Sequence, residues 1–264
     1  MRIGCHFEID NVVAEATASG ANAAQVFLAD PQKWKVGEIA YPGGSAVLKQ
    51  DAAGADLELF VHAPYLINVA SLNNRVRIPS RNLLKATISG AAKIGAQGVI
   101  VHGGHLKDGE DLVTGFVNWR KAVDDLNPEK GVKVLIENTA GGKNAMAREL
   151  QQIEWLWQAV QSSPNAGLVG FTLDTCHAWA AGLNLETIVT DIKKITGKID
   201  LIHLNNSRDA AGSGADRHAP LGNGTIPPEL LLNIVKTANA PIIIESHGDP
   251  TTEIAWLREH LKAE

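Results

Sequence analysis

Eight short apolar segments rich in valine, isoleucine and leucine recur along the chain. Short apolar runs of this kind predict buried β-strands. The stretches between them carry apolar residues three and four positions apart, as in SRNLLKATISGAAKIG at 80–95 and ELQQIEWLWQAVQ at 149–161, which predicts amphipathic helices. The predicted strands lie at about 2–6, 24–28, 57–62, 98–102, 132–137, 168–174, 199–204 and 241–245.

The alternation of strand and helix indicates parallel pairing, because parallel neighbours need a crossover of a dozen or more residues. Eight such units predict an α/β fold, a single (β/α)8 TIM barrel, with residues 1–264 as one domain. A doubly wound open sheet is the alternative. It would gather ligand-binding residues at one switch point, whereas the candidate residues described below are spread over most of the strand ends. The longest non-periodic segments, 29–45, 63–80, 103–110 and 205–227, all follow strands, so in a barrel they would surround one face.

Of the 264 residues, 45% are hydrophobic and 20% are charged. No stretch approaches the roughly 20 apolar residues that a membrane span needs, so we expect no membrane partner. The N-terminus, MRIGCHFEID, lacks the apolar core of a signal peptide, and Cys5 and Cys176 are too few for a disulfide framework. We therefore expect a cytoplasmic protein.

Histidines and carboxylates end six of the predicted strands, and two more follow in the glycine-rich loop GSGADRH. Alone, such a residue is more often structural than a metal ligand. Side chains at the carboxyl ends of barrel strands face a common opening, however, where imidazoles and carboxylates can share divalent cations. The nine candidate ligands are His62, His102, Glu137, Asp174, His177, His203, Asp216, His218 and Glu245.

Local spacing adds detail to this hypothesis. Asp216 and His218 flank Arg217, and a spacing of two on an extended segment points both to one side. Of the two histidines in the HxxH sequence, His102 is the preferred metal ligand rather than His105, because His102 directly ends its strand. Nine donors exceed what one tetrahedral ion needs, which suggests two or three metals, and nitrogen and oxygen donors suit zinc or manganese. Clustered metals stabilise both the attacking and the leaving oxygen in phosphoester hydrolysis, so this is the predicted reaction class.

The formal net charge of −5 is at first sight unfavourable for binding nucleic acid. Three divalent cations would bring it to about +1, so charge does not exclude a DNA partner.

The chain strongly resembles the endonuclease IV family of metal-dependent abasic-site endonucleases, from end to end. The resemblance is carried by IGCHFE at 3–8, VHAPYLIN at 61–68, VIVHGGH at 99–105, LIENTAGG at 135–142, LDTCHAWAAG at 173–182, HLNNS at 203–207, GSGADRHAPLGNGTI at 212–226 and IIIES at 242–246. LDTCHAWAAG and DRHAPLGNG are long enough to be specific.

The resemblance implies three Zn²⁺ ions, with Mn²⁺ possible at one site. The first would be held by His62, His102 and Glu137, with Glu137 bridging to the second. The second would be held by Glu137, Asp174, His203 and Glu245, and the third by His177, Asp216 and His218. The chain departs from the family pattern at two places that are not expected ligands. Asn206 stands where the family commonly has Asp, and VHGGH replaces a more usual HPGS-like turn. Such changes can alter the orientation of the ligands and the metal affinity, but not the reaction class.

The DNA-binding candidates lie in the loops around these ligands. Tyr65 and Leu66 are candidate wedges that fill the gap left by a flipped nucleotide, and Asn68 belongs to the same motif. Gln32, Lys33 and Trp34 could reach the other side of the lesion. Arg75, Arg77 and Arg81 are candidate phosphate contacts, and Arg217 is a further candidate.

The resemblance, with its complete ligand set, implies a DNA-repair hydrolase that incises the backbone of damaged double-stranded DNA 5′ to an abasic site, leaving a 3′-hydroxyl and a 5′-deoxyribose phosphate. Glu137 and Glu245 are the catalytic candidates, expected to position the attacking hydroxide. The family implies 3′-end trimming as a second activity, and a monomer without an obligate protein partner is the simplest expectation.

Two rival functions remain open at this point. A sugar isomerase or epimerase of the related xylose isomerase-like barrels would use only Glu137, Asp174, His203 and Glu245 and would leave five candidates idle. A non-catalytic DNA-damage binder is the other rival, and the intact ligand set weighs against it.

Overall fold

The computed structural model describes residues 1–142 and 144–262 and contains a closed barrel of eight parallel strands, in which each barrel strand pairs with the next one along the chain and the last pairs with the first. This confirms the (β/α)8 prediction and excludes the open sheet. The first and last barrel strands close it, with Ile3 paired to Ile242 and Cys5 to Ile244. The barrel strands are β1 (Ile3–His6), β2 (Ala23–Val26), β3 (Glu58–His62), β4 (Gly98–His102), β5 (Lys133–Glu137), β6 (Val169–Asp174), β7 (Leu201–His203) and β10 (Ile242–Ile244).

Nine α-helices within the described residues surround the strands. They are α1 (Val12–Ala18), α2 (Gly44–Gly54), α3 (Asn74–Ile94), α4 (Leu112–Asp124), α5 (Leu150–Gln161), α6 (Thr175–Ala181), α7 (Ile188–Thr196), α8 (Pro228–Ala238) and α9 (Pro250–Lys262). None of the helices in this part of the chain combines the length and the apolar character required to cross a bilayer.

The helix boundaries follow from local capping. Asn73 accepts a hydrogen bond from the Arg75 amide at the start of α3, and Gly95, with φ of 73°, ends that helix in the left-handed region that glycine adopts most readily. Asp111 caps α4 in the same way, accepting from the Val113 and Thr114 amides. These caps satisfy backbone groups that helix ends leave unpaired.

Two segments predicted to be non-periodic contain regular structure. The segment 63–80 includes the first turns of α3, which begins at Asn74 and continues through Pro79. These turns carry asparagine and arginine and face outward, so they lack the apolar period on which the prediction depends. The segment 205–227 contains a small antiparallel hairpin of β8 (Asn206–Ser207) and β9 (His218–Ala219).

The barrel strands alternate between two buried faces because successive side chains on a strand point to opposite sides. One face packs under the helices and contributes to the large core that includes Leu59, Val61 and Val99. The other face fills the barrel interior with a separate apolar layer formed by Ala23, Phe60, Ile100, Leu135, Leu201 and Ile243.

Candidate metal centre at the barrel mouth

A polar layer lies directly above the apolar layer of the barrel interior. Each of its residues follows an inward apolar residue by two positions, so the strand period aims it at the barrel mouth. The six residues placed in this way are Gln25, His62, His102, Glu137, His203 and Glu245.

Glu137 occupies the centre of this layer and has no exposed surface. Its Oε2 atom lies 3.3 Å from Nε2 of His102 and 3.6 Å from Nε2 of His62. Its Oε1 atom lies 2.9 Å from Nδ1 of His203 and 3.3 Å from Nδ1 of His177. The two oxygens of one carboxylate therefore face different sets of imidazoles, which is the geometry that a bridging ligand needs.

Two predicted ligand sets are brought together by the barrel strands. The donor atoms of His62, His102 and Glu137 lie within 4.8 Å of one another, and so do those of Glu137, Asp174, His203 and Glu245. Asn205 braces the second set: its side-chain amide donates to Asp174 Oδ2 at 2.7 Å and to Glu245 Oε2 at 3.2 Å.

The third predicted set, His177, Asp216 and His218, converges on the Asp216 carboxylate. Nε2 of His177 lies 3.1 Å from Oδ2, and Nε2 of His218 lies 3.1 Å from Oδ1. Asp174 also approaches this set, because its donor atom lies within 4.8 Å of those of His177 and His218. Asp174 also caps α6 by accepting from the His177 amide at 2.6 Å, which fixes the spacing of the two residues.

Cys176 also lies close to this set, with Asp216 and His218 within 4.8 Å of its sulfur. Burial raises the pKa of its thiol to about 12, so the thiolate required of a metal ligand is disfavoured. Cys5 and Cys176 are both free and buried, as expected of small core residues.

The charges of the centre are strongly coupled. Burial opposes the charge on His203, yet the carboxylates of Glu245 and Glu137 outweigh burial and raise its pKa to about 9. The pKa of His218 is likewise raised to about 9, against burial, by Asp216 and Asp174. Burial would raise the pKa of Glu245, but His203 lowers it to about 2. The metal-free centre therefore holds protons on its imidazoles that an incoming cation would displace.

Two features fit a metal at this position. Glu137 Oε2 and His218 Nε2 are buried atoms that lie close to His102 and Asp216, respectively, but make no hydrogen bond of acceptable geometry in the described structure. Such atoms are costly unless a ligand satisfies them. The donors are imidazole nitrogens and carboxylate oxygens, the set that suits zinc and manganese.

The cavity above the centre measures about 470 Å³, and some of the residues that line it were not predicted. Phe27 contacts the rings of His6, His62 and Tyr65, with centroids 4.7–5.4 Å apart, and forms an aromatic wall. His247 lines the same cavity. His6 ends β1 just as His62 ends β3, so the strand-end rule would have found it. Phe27 carries no metal-binding group, and no sequence signal marked it.

The DNA-binding candidates are placed differently from one another. Tyr65 is 59% exposed at the cavity rim, with its ring 5.3 Å from that of His62. Leu66 beside it is half-buried, and Gln32, Lys33 and Trp34 are exposed on the loop after β2.

Several other candidates already have protein partners. Asn68 is buried and donates to the His105 carbonyl, and the Arg77 guanidinium donates to the Ser71 and Leu72 carbonyls. Arg81 pairs with Asp125 at 4.0 Å, and Arg217, although 62% exposed at its side chain, pairs with Asp209. Arg75 is exposed.

The two departures from the family pattern have structural roles. Asn206 donates to the carbonyls of Leu221 and Ile226 and accepts from the Ile226 amide, so it organises the loop after β9. In the HGGH turn, Gly104 has φ of 78°, and a Cβ there would come within 2.6 Å of Asn68 Oδ1. His105 is exposed and belongs to none of the metal-binding groups found in the described residues.

Comparison with known proteins agrees with this geometry. Residues 13–263 match the family described as the xylose isomerase-like TIM barrel. A probable endonuclease 4 from Mycobacterium marinum is 51% identical over 267 residues, covering 100% of both chains. The crystal structure of endonuclease IV from Thermus thermophilus superposes with a TM-score of 0.80 at 27% identity, covering 100% of this chain and 98% of that one. A D-tagatose 3-epimerase-like protein has a TM-score of 0.77 at 20% identity, covering 99% and 97%, a likeness of fold alone. The chain therefore belongs to the endonuclease IV family, within the xylose isomerase-like TIM barrels.

Proposed function

We propose that the protein is a metal-dependent DNA-repair endonuclease that hydrolyses the phosphodiester 5′ to abasic sites in duplex DNA. The products are a 3′-hydroxyl and a 5′-deoxyribose phosphate, and removal of 3′-blocking groups is a second activity of the same centre. The observation that carries the proposal is the convergence of all nine candidate ligands in overlapping groups, seven of them lining one cavity. The relatives named endonuclease 4 support the same reaction.

The rival sugar epimerase accounts for fewer of these residues. It would need Glu137, Asp174, His203 and Glu245, which form one group here. It gives no reason for His177 and His218 to meet opposite oxygens of Asp216 at 3.1 Å. The five additional donors therefore favour phosphodiester hydrolysis.

We assign three Zn²⁺ ions to the overlapping groups. His62, His102 and Glu137 would hold one, and Glu137, Asp174, His203 and Glu245 the next; His177, Asp216 and His218 would hold the third, with Mn²⁺ as a possible replacement at one site. When bound, such ions activate water and offset negative charge on the attacking and leaving oxygens.

The protein residues of the centre have separate tasks in this proposal. The carboxylates of Glu137 and Glu245 line the cavity, where they can orient the attacking water. Phe27 and Tyr65 form an aromatic wall that restricts solvent on one side. Tyr65 and Leu66 are proposed to fill the gap left by the displaced nucleotide, with Gln32, Lys33 and Trp34 contacting DNA from the loop after β2.

Backbone contacts with the DNA phosphates are assigned to the exposed guanidinium groups. Arg75 is unobstructed on the first turn of α3, whereas Arg77 and Arg217 would have to exchange their protein partners for phosphate. Asn68 acts indirectly in this proposal, by holding the His105 turn in a second pocket, beside the centre, that Tyr65 and His102 also line. A cytoplasmic monomer without an obligate protein partner is part of the same proposal.

The test is incision of a duplex oligonucleotide that bears one abasic analogue, with zinc-loaded protein and with protein treated with a chelator. We expect cleavage 5′ to the analogue, an end that a polymerase can extend, and loss of cleavage after chelation. The undamaged duplex and a ketose sugar serve as control substrates. Absence of incision by fully zinc-loaded protein would reject the proposal, and epimerisation of the ketose would then favour the rival function.

A further inference from the structure

Gln25 is a fully buried amide at the centre of the polar layer. It lies on β2, between His6 on β1 and Phe60 on β3. Its side-chain oxygen accepts from Nε2 of His203 at 2.8 Å, and its nitrogen approaches Glu245 Oε1 at 2.6 Å and His6 Nδ1 at 3.1 Å. Burial of an amide is costly unless it is hydrogen-bonded, and here both of its hydrogens and one lone pair have partners.

The orientation of this amide follows from its neighbours. A carboxylate only accepts hydrogen bonds, so the group that lies 2.6 Å from Glu245 Oε1 has to be the NH₂. The amide oxygen is then the atom that faces His203. Rotation of the amide by half a turn would place oxygen against oxygen.

This orientation determines which nitrogen of His203 is free. The Gln25 oxygen cannot donate, so Nε2 of His203 must carry a hydrogen. The lone pair of a neutral His203 is then on Nδ1, the nitrogen that lies 2.9 Å from Glu137 Oε1 and 3.1 Å from Glu245 Oε2. The metal-binding nitrogen of a histidine is set by the hydrogen bond that its other nitrogen makes.

Two other candidate ligand histidines are held differently. Nδ1 of His62 lies 2.7 Å from the Ala63 carbonyl, and Nδ1 of His177 lies 2.9 Å from the Asn138 carbonyl. These partners belong to the backbone and persist when a side chain is replaced. The partner of His203 is a side chain, so its contribution can be removed by substitution.

We propose that Gln25 is a positioning residue of the metal centre, which keeps a hydrogen on Nε2 of His203 and thereby presents Nδ1 to the metal. His6 supports it from the opposite side by accepting from the same amide nitrogen, and its own ring packs against Phe27 at 4.7 Å. The inference rests on the proposed metal occupancy, but not on the identity of the substrate.

Three variants separate this role from packing. Gln25→Met keeps the approximate shape and removes the amide. Gln25→Glu keeps an acceptor for His203 and loses the donors. Gln152→Met removes another buried glutamine amide, at the start of α5, and serves as the matched control.

Zinc affinity is measured by equilibrium dialysis against buffered free zinc, together with the melting temperature of the metal-free proteins. We expect Gln25→Met to bind one zinc ion roughly 10–100-fold more weakly, as is typical when a partner of a metal ligand is lost. Gln152→Met should bind zinc as the unsubstituted protein does. Gln25→Glu should bind zinc more tightly than Gln25→Met, because it keeps an acceptor for His203, although it places a carboxylate oxygen against Glu245 Oε1. On abasic duplex, Gln25→Met should lower kcat and leave KM unchanged, because Gln25 has no exposed surface with which to contact DNA.

Unchanged zinc affinity in Gln25→Met would overturn the proposal, and so would an equal loss in Gln25→Glu. If Gln25→Met does not fold, the zinc affinity of Gln25→Glu decides alone: a loss as large as the roughly 10–100-fold expected for complete loss of the acceptor rejects the role of the acceptor. A zinc-loaded wild-type protein that fails to incise DNA would refute the proposed function, while the zinc measurements would still decide the role of Gln25.

Discussion

His203 directs Nδ1 to Oε1 of Glu137 at 2.9 Å, although the two residues are 66 positions apart in the chain. Against the effect of burial, the Glu245 carboxylate and then this contact with Glu137 raise the pKa of His203. The relationship links the stability of the metal-free protein to pH.

The free energy of unfolding of the metal-free protein should fall between about pH 6.5 and pH 9. The pKa of His203 and of His218 is raised to about 9 in the folded protein, from about 6.5 in the unfolded chain. The protonated histidines therefore stabilise the fold below pH 6.5, and this contribution is lost as the pH rises through about 9. Urea unfolding of chelator-treated protein at pH 6.5 and 8.5 measures the change. The His203→Gln variant should show a smaller change, and stability that stays constant or rises over this range would contradict the assignment.

His218→Ala should lose the ion assigned to His177, Asp216 and His218 and most of the incision activity, while the barrel stays folded. His218 contributes an imidazole 3.1 Å from Asp216 and lies on β9, outside the barrel strands. Zinc content per chain and incision rate are the measurements. His260→Ala is the matched control because His260 lies on α9, outside both the metal-binding groups found in the described residues and the lining of the cavity. Full zinc content in His218→Ala would remove His218 from the ligand set.

Tyr65→Ala should weaken binding of abasic duplex by roughly 5–100-fold, the range expected for loss of one aromatic stacking contact. Its ring is 59% exposed at the cavity rim, so its loss should leave the fold intact. Val113→Ala provides a control at another exposed apolar residue, on α4. Binding is measured with zinc-loaded protein on a duplex whose linkage 5′ to the abasic analogue is non-hydrolysable, so that cleavage does not interfere. Equal affinities of Tyr65→Ala and Val113→Ala would indicate that Tyr65 only packs at the cavity rim.

Asn206→Asp should lower stability by about 1–3 kcal/mol, the typical cost of leaving buried hydrogen-bonding groups unsatisfied. Asn206 donates to the Leu221 and Ile226 carbonyls, and an ionised aspartate would place an oxygen against them. Asn184→Asp is the control, because the Asn184 oxygen accepts from the Glu186 amide and an aspartate can do the same. Urea unfolding of zinc-loaded protein provides the comparison, and equal stability of the two variants would argue against the donor role of Asn206.

The barrel strands could be predicted from the sequence because each is a buried apolar run that ends where polar residues begin. The predicted positions agree with the observed strands to within two residues at each end. The start of α3 and the β8–β9 hairpin were missed, because polar turns and two-residue strands carry no periodic signal.

The candidate centre likewise contains residues that the sequence identifies and residues that only the structure reveals. Residues such as His62 and Glu137 could be identified because their side chains can bind metal and they end apolar runs. Gln25 follows the same two-residue spacing from Ala23, yet a glutamine is not a usual metal ligand, so its place in the layer became evident only from its contacts with His203 and Glu245. The internal pairing of Arg77 is a tertiary relationship that no local pattern specifies.

Asp216 and Glu137 differ greatly in their surroundings. The Asp216 side chain is 49% exposed on a loop, whereas Glu137 ends a barrel strand and has no exposed surface. Ions held by these two carboxylates would differ in residence time: water and competing chelators reach the Asp216 side directly, but must enter the barrel mouth to reach Glu137. Scarcity of zinc would then empty the centre from the loop inward, and the ion proposed for the Asp216 side would be the first to exchange.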